Sequence, residues 1–100
     1  MDRDKLAVLT ALRAVVDPEV GLDIVNMGLL YGLELTPARI TARLTLTSRG
    51  CPLGETILGM AQDALEGVAG EREVRLVLSW DPPWSPRMLS EAGRRYLDGY

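Results

Sequence analysis

Two alternating apolar runs, with four residues between them, set the first constraint on the fold. Leu29, Tyr31, Leu33 and Leu35 recur at every second position, as do Ile40, Ala42, Leu44 and Leu46, and Thr36-Pro37-Ala38-Arg39 lies between. Period-two alternation gives a strand one buried and one wet face, and a short proline-containing connection reads as a turn. The pair is expected to form an antiparallel hairpin, with Thr41, Arg43, Thr45 and Thr47 on the wet face. A third alternating run, Val74, Leu76, Leu78 and Trp80, must end at Asp81-Pro82-Pro83-Trp84, where two prolines remove consecutive backbone donors. Periodicity leaves the direction of this third strand open. A helical crossover before it would suit a parallel second–third pair.

Helical spacing fills the remaining chain. Leu6, Leu9, Leu12, Val15 and Val16 form one apolar stripe, which predicts a helix from about Asp4 to Val16. Asp2 or Asp4 can cap its start, and Pro18 disfavours helical geometry at Asp17. Val20 to Gly28 reads as an irregular connection with a short turn at Asp23–Asn26. The second helix is expected to open at Pro52, since proline suits a first helical position. Leu53, Ile57, Ala61, Ala64, Leu65 and Val68 make its stripe, and Gly67 or Gly70 ends it. Ser85-Pro86 reads as the cap and first turn of a C-terminal helix running to about Leu97, with Met88, Leu89 and Leu97 in the core. The expected order is αββαβα: an α+β fold with a mixed three-stranded sheet and helices packed on one face. At 100 residues, a single domain covering residues 1–100 is expected.

The chemical toolkit is short. Histidine is absent and there is one cysteine, so imidazole catalysis, an intramolecular disulfide and a four-ligand zinc site are all excluded. A net charge of −3 is a poor match to a phosphate backbone, so no nucleic-acid partner is expected. No apolar run approaches the roughly 20 residues of a membrane span. The opening Met1-Asp2-Arg3-Asp4-Lys5 lacks a signal-peptide shape, so no membrane association and a cytoplasmic location are expected.

Cys51 is the one soft nucleophile or soft metal ligand. If Pro52 opens the second helix, Cys51 is its N-cap, beside unpaired N–H groups and the positive end of the helix dipole. That setting lowers a thiol pKa; the alternative is an inert cysteine packed as a small hydrophobe. Asp17 and Glu19 flank Pro18, where they would act as hard ligands, proton acceptors or caps, or simply as turn formers. Thr47 and Ser48 approach Cys51 along the chain, near enough to donate to its sulfur. Trp84 beside Pro83 is either a packing clamp or a partner-binding surface.

Taken together, Asp17-Pro18-Glu19, the segment Ile24-Val25-Asn26-Met27-Gly28-Leu29-Leu30-Tyr31, Thr45-Leu46-Thr47 through Gly50-Cys51-Pro52, and Trp80-Asp81-Pro82-Pro83-Trp84-Ser85-Pro86 resemble the MIP18 (DUF59) family of small iron–sulfur assembly domains. The matches keep the family's order and run from about Leu6 to Leu97. The resemblance implies a non-enzymatic role in assembling or delivering iron–sulfur clusters to apo-client proteins together with the assembly machinery. It also implies that Cys51, Asp17, Glu19 and Thr47 form the functional cluster. No cysteine-rich C-terminal extension is expected, which favours the SufT-like branch over a PaaD-like accessory role in maturing a phenylacetate-degradation ring oxygenase.

Ligand arithmetic bounds the mechanism. A cluster is normally held by four ligands, mostly thiolates, and one chain offers one. A tightly bound cluster is therefore not expected; a transient one, with Cys51 as metal ligand at the interface of a homodimer, is the most that the residues permit. A protein-binding adaptor acting through Trp84 and Pro83, with Cys51 incidental, is the rival reading. An enzyme using a lone reactive thiol is a third.

Overall fold

The structure, a computed structural model, describes residues 2–47 and 54–98. Its elements are α1 (Asp2–Arg13), β1 (Leu30–Leu35), β2 (Arg39–Leu44), α2 (Gly54–Ala69), β3 (Glu73–Leu78), a 3-10 turn (Pro86–Met88) and α3 (Glu91–Asp98). β1 pairs antiparallel with β2, and β2 pairs parallel with β3, in the spatial order β1-β2-β3. The fold is thus α+β with a mixed sheet. The expected helix start at Pro52 and the stripe residue Leu53 lie outside the described residues.

The hairpin turn closes where the sequence places it. Thr36 and Arg39 exchange backbone bonds, and the Thr36 hydroxyl oxygen accepts the Arg39 N–H at 2.9 Å. On β2, Ile40, Ala42 and Leu44 point into the core and are fully buried. Ile57, Ala61, Leu65 and Ala69 of α2 answer them at helical spacing, and Val8, Leu12 and Val15 complete the same cluster from the N-terminal side. Burying a Leu or Ile side chain is worth about 1.5–3 kcal/mol, so this cluster is the main stabilising element. Gly54 lets the first residue of α2 lie close to Leu46, whose Cδ1 would sit 2.7 Å from an added Cβ. Gly70, at φ +66°, ends α2, as glycine's tolerance of positive φ allows.

Several expectations change. The buried stripe of α1 is built on Val8, which is fully buried, whereas Leu6 is 58% exposed. The helix stops at Arg13 rather than Val16, tightening through bonds from Ala14 N to Ala11 O and from Val15 N to Leu12 O. The next residues instead join a short antiparallel bridge, Val16 to Asp23, a role that suits β-branched valines. Asp4 caps nothing and instead pairs with Arg72 across the fold. The pairing of β1 skips a residue between Leu30 and Gly32, so Tyr31 is the extra residue of a bulge and drops out of the Leu33, Leu35 alternation. Thr45 is buried, not wet: β2 ends at Leu44, and beyond it the alternation lapses.

The C-terminal segment also differs. Ser85 makes no side-chain cap, and Pro86–Met88 is an isolated 3-10 turn ended by extended backbone at Leu89. α3 starts afresh after Ser90, whose Oγ accepts the Gly93 N–H at 2.9 Å, as an N-cap does. Met88, Leu89 and Leu97 are half-buried rather than core. α3 seats on the α1–β1 connection, with Gly93 against the Asn26 carbonyl and Leu22. Among the described residues, no helix is long and apolar enough to cross a membrane.

Candidate functional site

Parallel pairing puts the ends of β2 and β3 at one edge of the sheet, and Ser79 N donates to Leu44 O there at 2.8 Å. β1 begins at the same edge, because Leu30 pairs with Leu44. Loops leaving the carboxyl ends of parallel strands gather functional residues in open sheets. Here that edge collects three of the sequence segments singled out above, together with residues 45–47 of a fourth.

Main-chain hydrogen bonds connect them. Ile24 N donates to Val15 O, Leu29 N to Ile24 O, and Thr45 N to Leu29 O, each at 2.9–3.0 Å. This series joins the chain entering the Asp17 loop, through the Ile24–Leu29 turn, to the residue following β2. The loop itself is closed by Asp17 N donating to Leu22 O and Gly21 N donating to Asp17 O.

Each candidate residue has a definite setting. Asp17 is only 5% exposed, and its Oδ1 accepts the Glu19 N–H at 2.8 Å. That bond is the turn-forming role open to an Asp before proline, and it fixes the carboxylate's direction. Glu19 and Thr47 are exposed. Among the described residues, neither makes a side-chain hydrogen bond to Asp17, so the structure brings their segments together without joining their side chains. Thr45 uses its hydroxyl locally, donating to Leu46 O at 3.4 Å. Cys51, the proposed metal ligand, lies outside the described residues. Among those described, no group of three or more Asp, Glu or Cys side chains is placed to hold a metal ion.

Side chains of the expected Asp23–Asn26 turn, to which the sequence assigned no role, organise it. Asp23 Oδ2 accepts the N–H groups of Val25 and Asn26, and Oδ1 accepts the Asn26 side-chain amide at 2.6 Å. Asn26 Oδ1 in turn accepts the Ser90 hydroxyl at 2.6 Å, and Ser90 caps α3. Asp23 and Asn26 sat in the expected turn, and their three-residue spacing was the available signal. Their tie to Ser90 spans 64 positions and had no local signal.

Residues 82–90 then cross this turn as a strap. Trp84 Nε1 donates to Met27 O at 2.7 Å, and the Tyr31 hydroxyl donates to Pro82 O at 2.7 Å. Gly28, at φ +78°, lies so close beneath the strap that a Cβ there would overlap the Met88 carbonyl. Trp84 is half-buried against the core, which suits a packing clamp, while Pro83 beside it is exposed.

The chain is similar to known proteins in both sequence and fold. Residues 5–76 match the family described as iron-sulfur cluster assembly protein. The chain is 38% identical over 84 residues to a Bacillus subtilis protein named Fe-S protein maturation auxiliary factor YitW, covering 83% of this chain and 82% of that one. It is 38% identical over 77 residues to the Staphylococcus aureus Fe-S protein maturation auxiliary factor SufT, covering 76% and 88%. The crystal structure of a DUF59 domain from Bacillus anthracis superposes with a TM-score of 0.88 at 31% identity, covering 97% of this chain and 93% of that one. With most of its length matched in sequence and nearly all of it in shape, the chain belongs to the iron–sulfur cluster assembly family built on the DUF59 domain.

Proposed function

We propose that this chain is a non-enzymatic factor in iron–sulfur protein maturation, acting in the cytoplasm on apo-client proteins together with the assembly machinery. Membership of the family supports the role, and the names of the Bacillus subtilis and Staphylococcus aureus relatives favour the SufT-like branch. Cys51 is the working residue, three positions before α2 begins at Gly54. It handles a cluster transiently, or a client thiol, and two chains meeting at Cys51 supply the second thiolate that one chain lacks. Asp17 and Glu19 stand as the acidic side of the site, and Thr47 as a hydroxyl donor toward it. Trp84 serves the fold first, and the exposed Pro83 is the part of its segment open to a partner.

The observation that carries this reading is the main-chain series from Val15 through Ile24 and Leu29 to Thr45. It brings the acidic loop to the strand end from which the chain runs on to Cys51. The test is anaerobic incubation of the full chain with ferrous iron and sulfide, followed by transfer to an apo-client. The wild type is expected to show labile cluster absorption and to activate the client. Cys51→Ala is expected to lose at least about tenfold in transfer rate, the factor set by about 1.4 kcal/mol of lost stabilisation. Equal transfer by the two proteins would remove Cys51 from the mechanism.

A further inference from the structure

Tyr31 has one hydroxyl proton and two acceptors. Its oxygen lies 2.7 Å from Pro82 O and 3.2 Å from the Met88 sulfur. A phenol donates once and a thioether accepts weakly, so the proton belongs to Pro82. The same three residues line an open cleft of about 440 Å³ with Gly28, Leu30 and Arg43. Met88 is half-buried and lines this cleft, which opens to the surface.

We infer that Met88 is a modification site: oxidation of its sulfur by hydrogen peroxide moves the Tyr31 proton off Pro82 and frees that end of the strap. A sulfur lone pair attacks one peroxide oxygen, forming the S–O bond as the O–O bond breaks. The new sulfur-bound hydroxyl gives its proton to the departing hydroxide, which leaves as water. Sulfur is oxidised by two electrons and the peroxide is reduced. The product replaces a soft apolar acceptor with a polar sulfoxide oxygen, which competes with Pro82 for the single Tyr31 proton.

Two other methionines provide comparisons within the chain. Met27 is 2% exposed and shielded from peroxide, although its carbonyl receives the Trp84 indole. Met60 is 36% exposed on α2 and makes no hydrogen bond to the strap, so its oxidation is without effect there. The inference stands apart from the Cys51 reading: it needs neither Cys51 nor Asp17, Glu19 or Thr47, and shares with it only Trp84, here a readout.

The experiment treats the full chain with dilute hydrogen peroxide, locates oxidised methionines by peptide mass spectrometry and follows N–H exchange by NMR. Met88 and Met60 are expected to gain oxygen while Met27 does not. Exchange of the Trp84 indole N–H is expected to rise about fivefold to tenfold, the range for losing one modest hydrogen bond nearby. The Ser90 amide, bonded to Asn26 O at the far end of the strap, is expected to stay protected. Methionine sulfoxide reductase is expected to reverse the change. Met88→Leu should be inert to peroxide at Trp84. Tyr31→Phe should exchange fast beforehand and gain nothing on oxidation. The inference is overturned if Met88 stays reduced once Met60 is fully oxidised, or if its sulfoxide leaves Trp84 unchanged. A peroxide response in Tyr31→Phe, or equal loosening at Ser90, overturns it too.

Discussion

Arg72 performs two tasks with one guanidinium. Its Nε and Nη2 donate to the last carbonyls of α2, at Ala69 and Val68, while Nη1 and Nη2 form a forked pair with the Asp4 carboxylate at 2.9 and 3.1 Å. These hydrogen bonds, aided by the cation's charge, hold the Asp4 carboxyl below its ordinary value of 3.8. The sign follows from linkage. A carboxyl that is more acidic in the folded chain contributes stability above its ordinary pKa, and that contribution fades as the pH falls through the lowered value. Asp4→Asn should therefore lower the urea midpoint at neutral pH, with the gap to wild type closing in strong acid. The pair is partly solvated, so added salt should narrow the gap at neutral pH as well. A gap independent of both pH and salt would show that Asp4 acts through packing alone.

At the scale of elements, α3 owes its start to Ser90 rather than to the proline-led turn upstream. Ser90→Ala removes the cap on Gly93 N and the donor to Asn26 Oδ1 together. A lost N-cap costs about 1 kcal/mol, and a thermal melt should show a drop of at least that size. The change should also deprotect the Asn26 side-chain amide, which a purely local cap would leave alone. The same element shows what could be read from the chain in advance. The hairpin, α2 and β3 were legible because each repeats its period over several residues, although the β3 alternation stops short: Leu78, read as part of its stripe, is 41% exposed. α1 was legible as a helix but not in its buried face, because Leu6 and Val8 both fit helical spacing and only the docking of α2 selects between them. The bulge at Tyr31 depends on a partner strand, and the Asn26–Ser90 bond on tertiary approach, so neither has a local signature. Of the candidate site, the segments were legible from their motifs. The roles of Asp23, Asn26 and Ser90 were not, since short polar side chains are common in any turn.

Taken as a whole, the molecule is a sheet edge tied down by a strap, and Gly28 is where the two come closest. Gly28→Ala combines an unfavourable positive φ with overlap on the Met88 carbonyl. Together these should cost more than about 2 kcal/mol, with hydrogen exchange rising first in residues 24–29 and 82–90 and last in α2. Loss spread evenly over the chain would contradict the idea of a separately docked strap. The link from the acidic loop to the end of β2 behaves differently, because it is made of amides and carbonyls alone. Substitutions at Val15, Ile24, Leu29 and Thr45, all buried, act on that route only through packing, since none of its hydrogen bonds uses a side chain. Only proline at the donor positions 24, 29 or 45, or an inserted or deleted residue, would sever it. The connection therefore depends on the count of residues between its donors and acceptors, not on any one polar side chain.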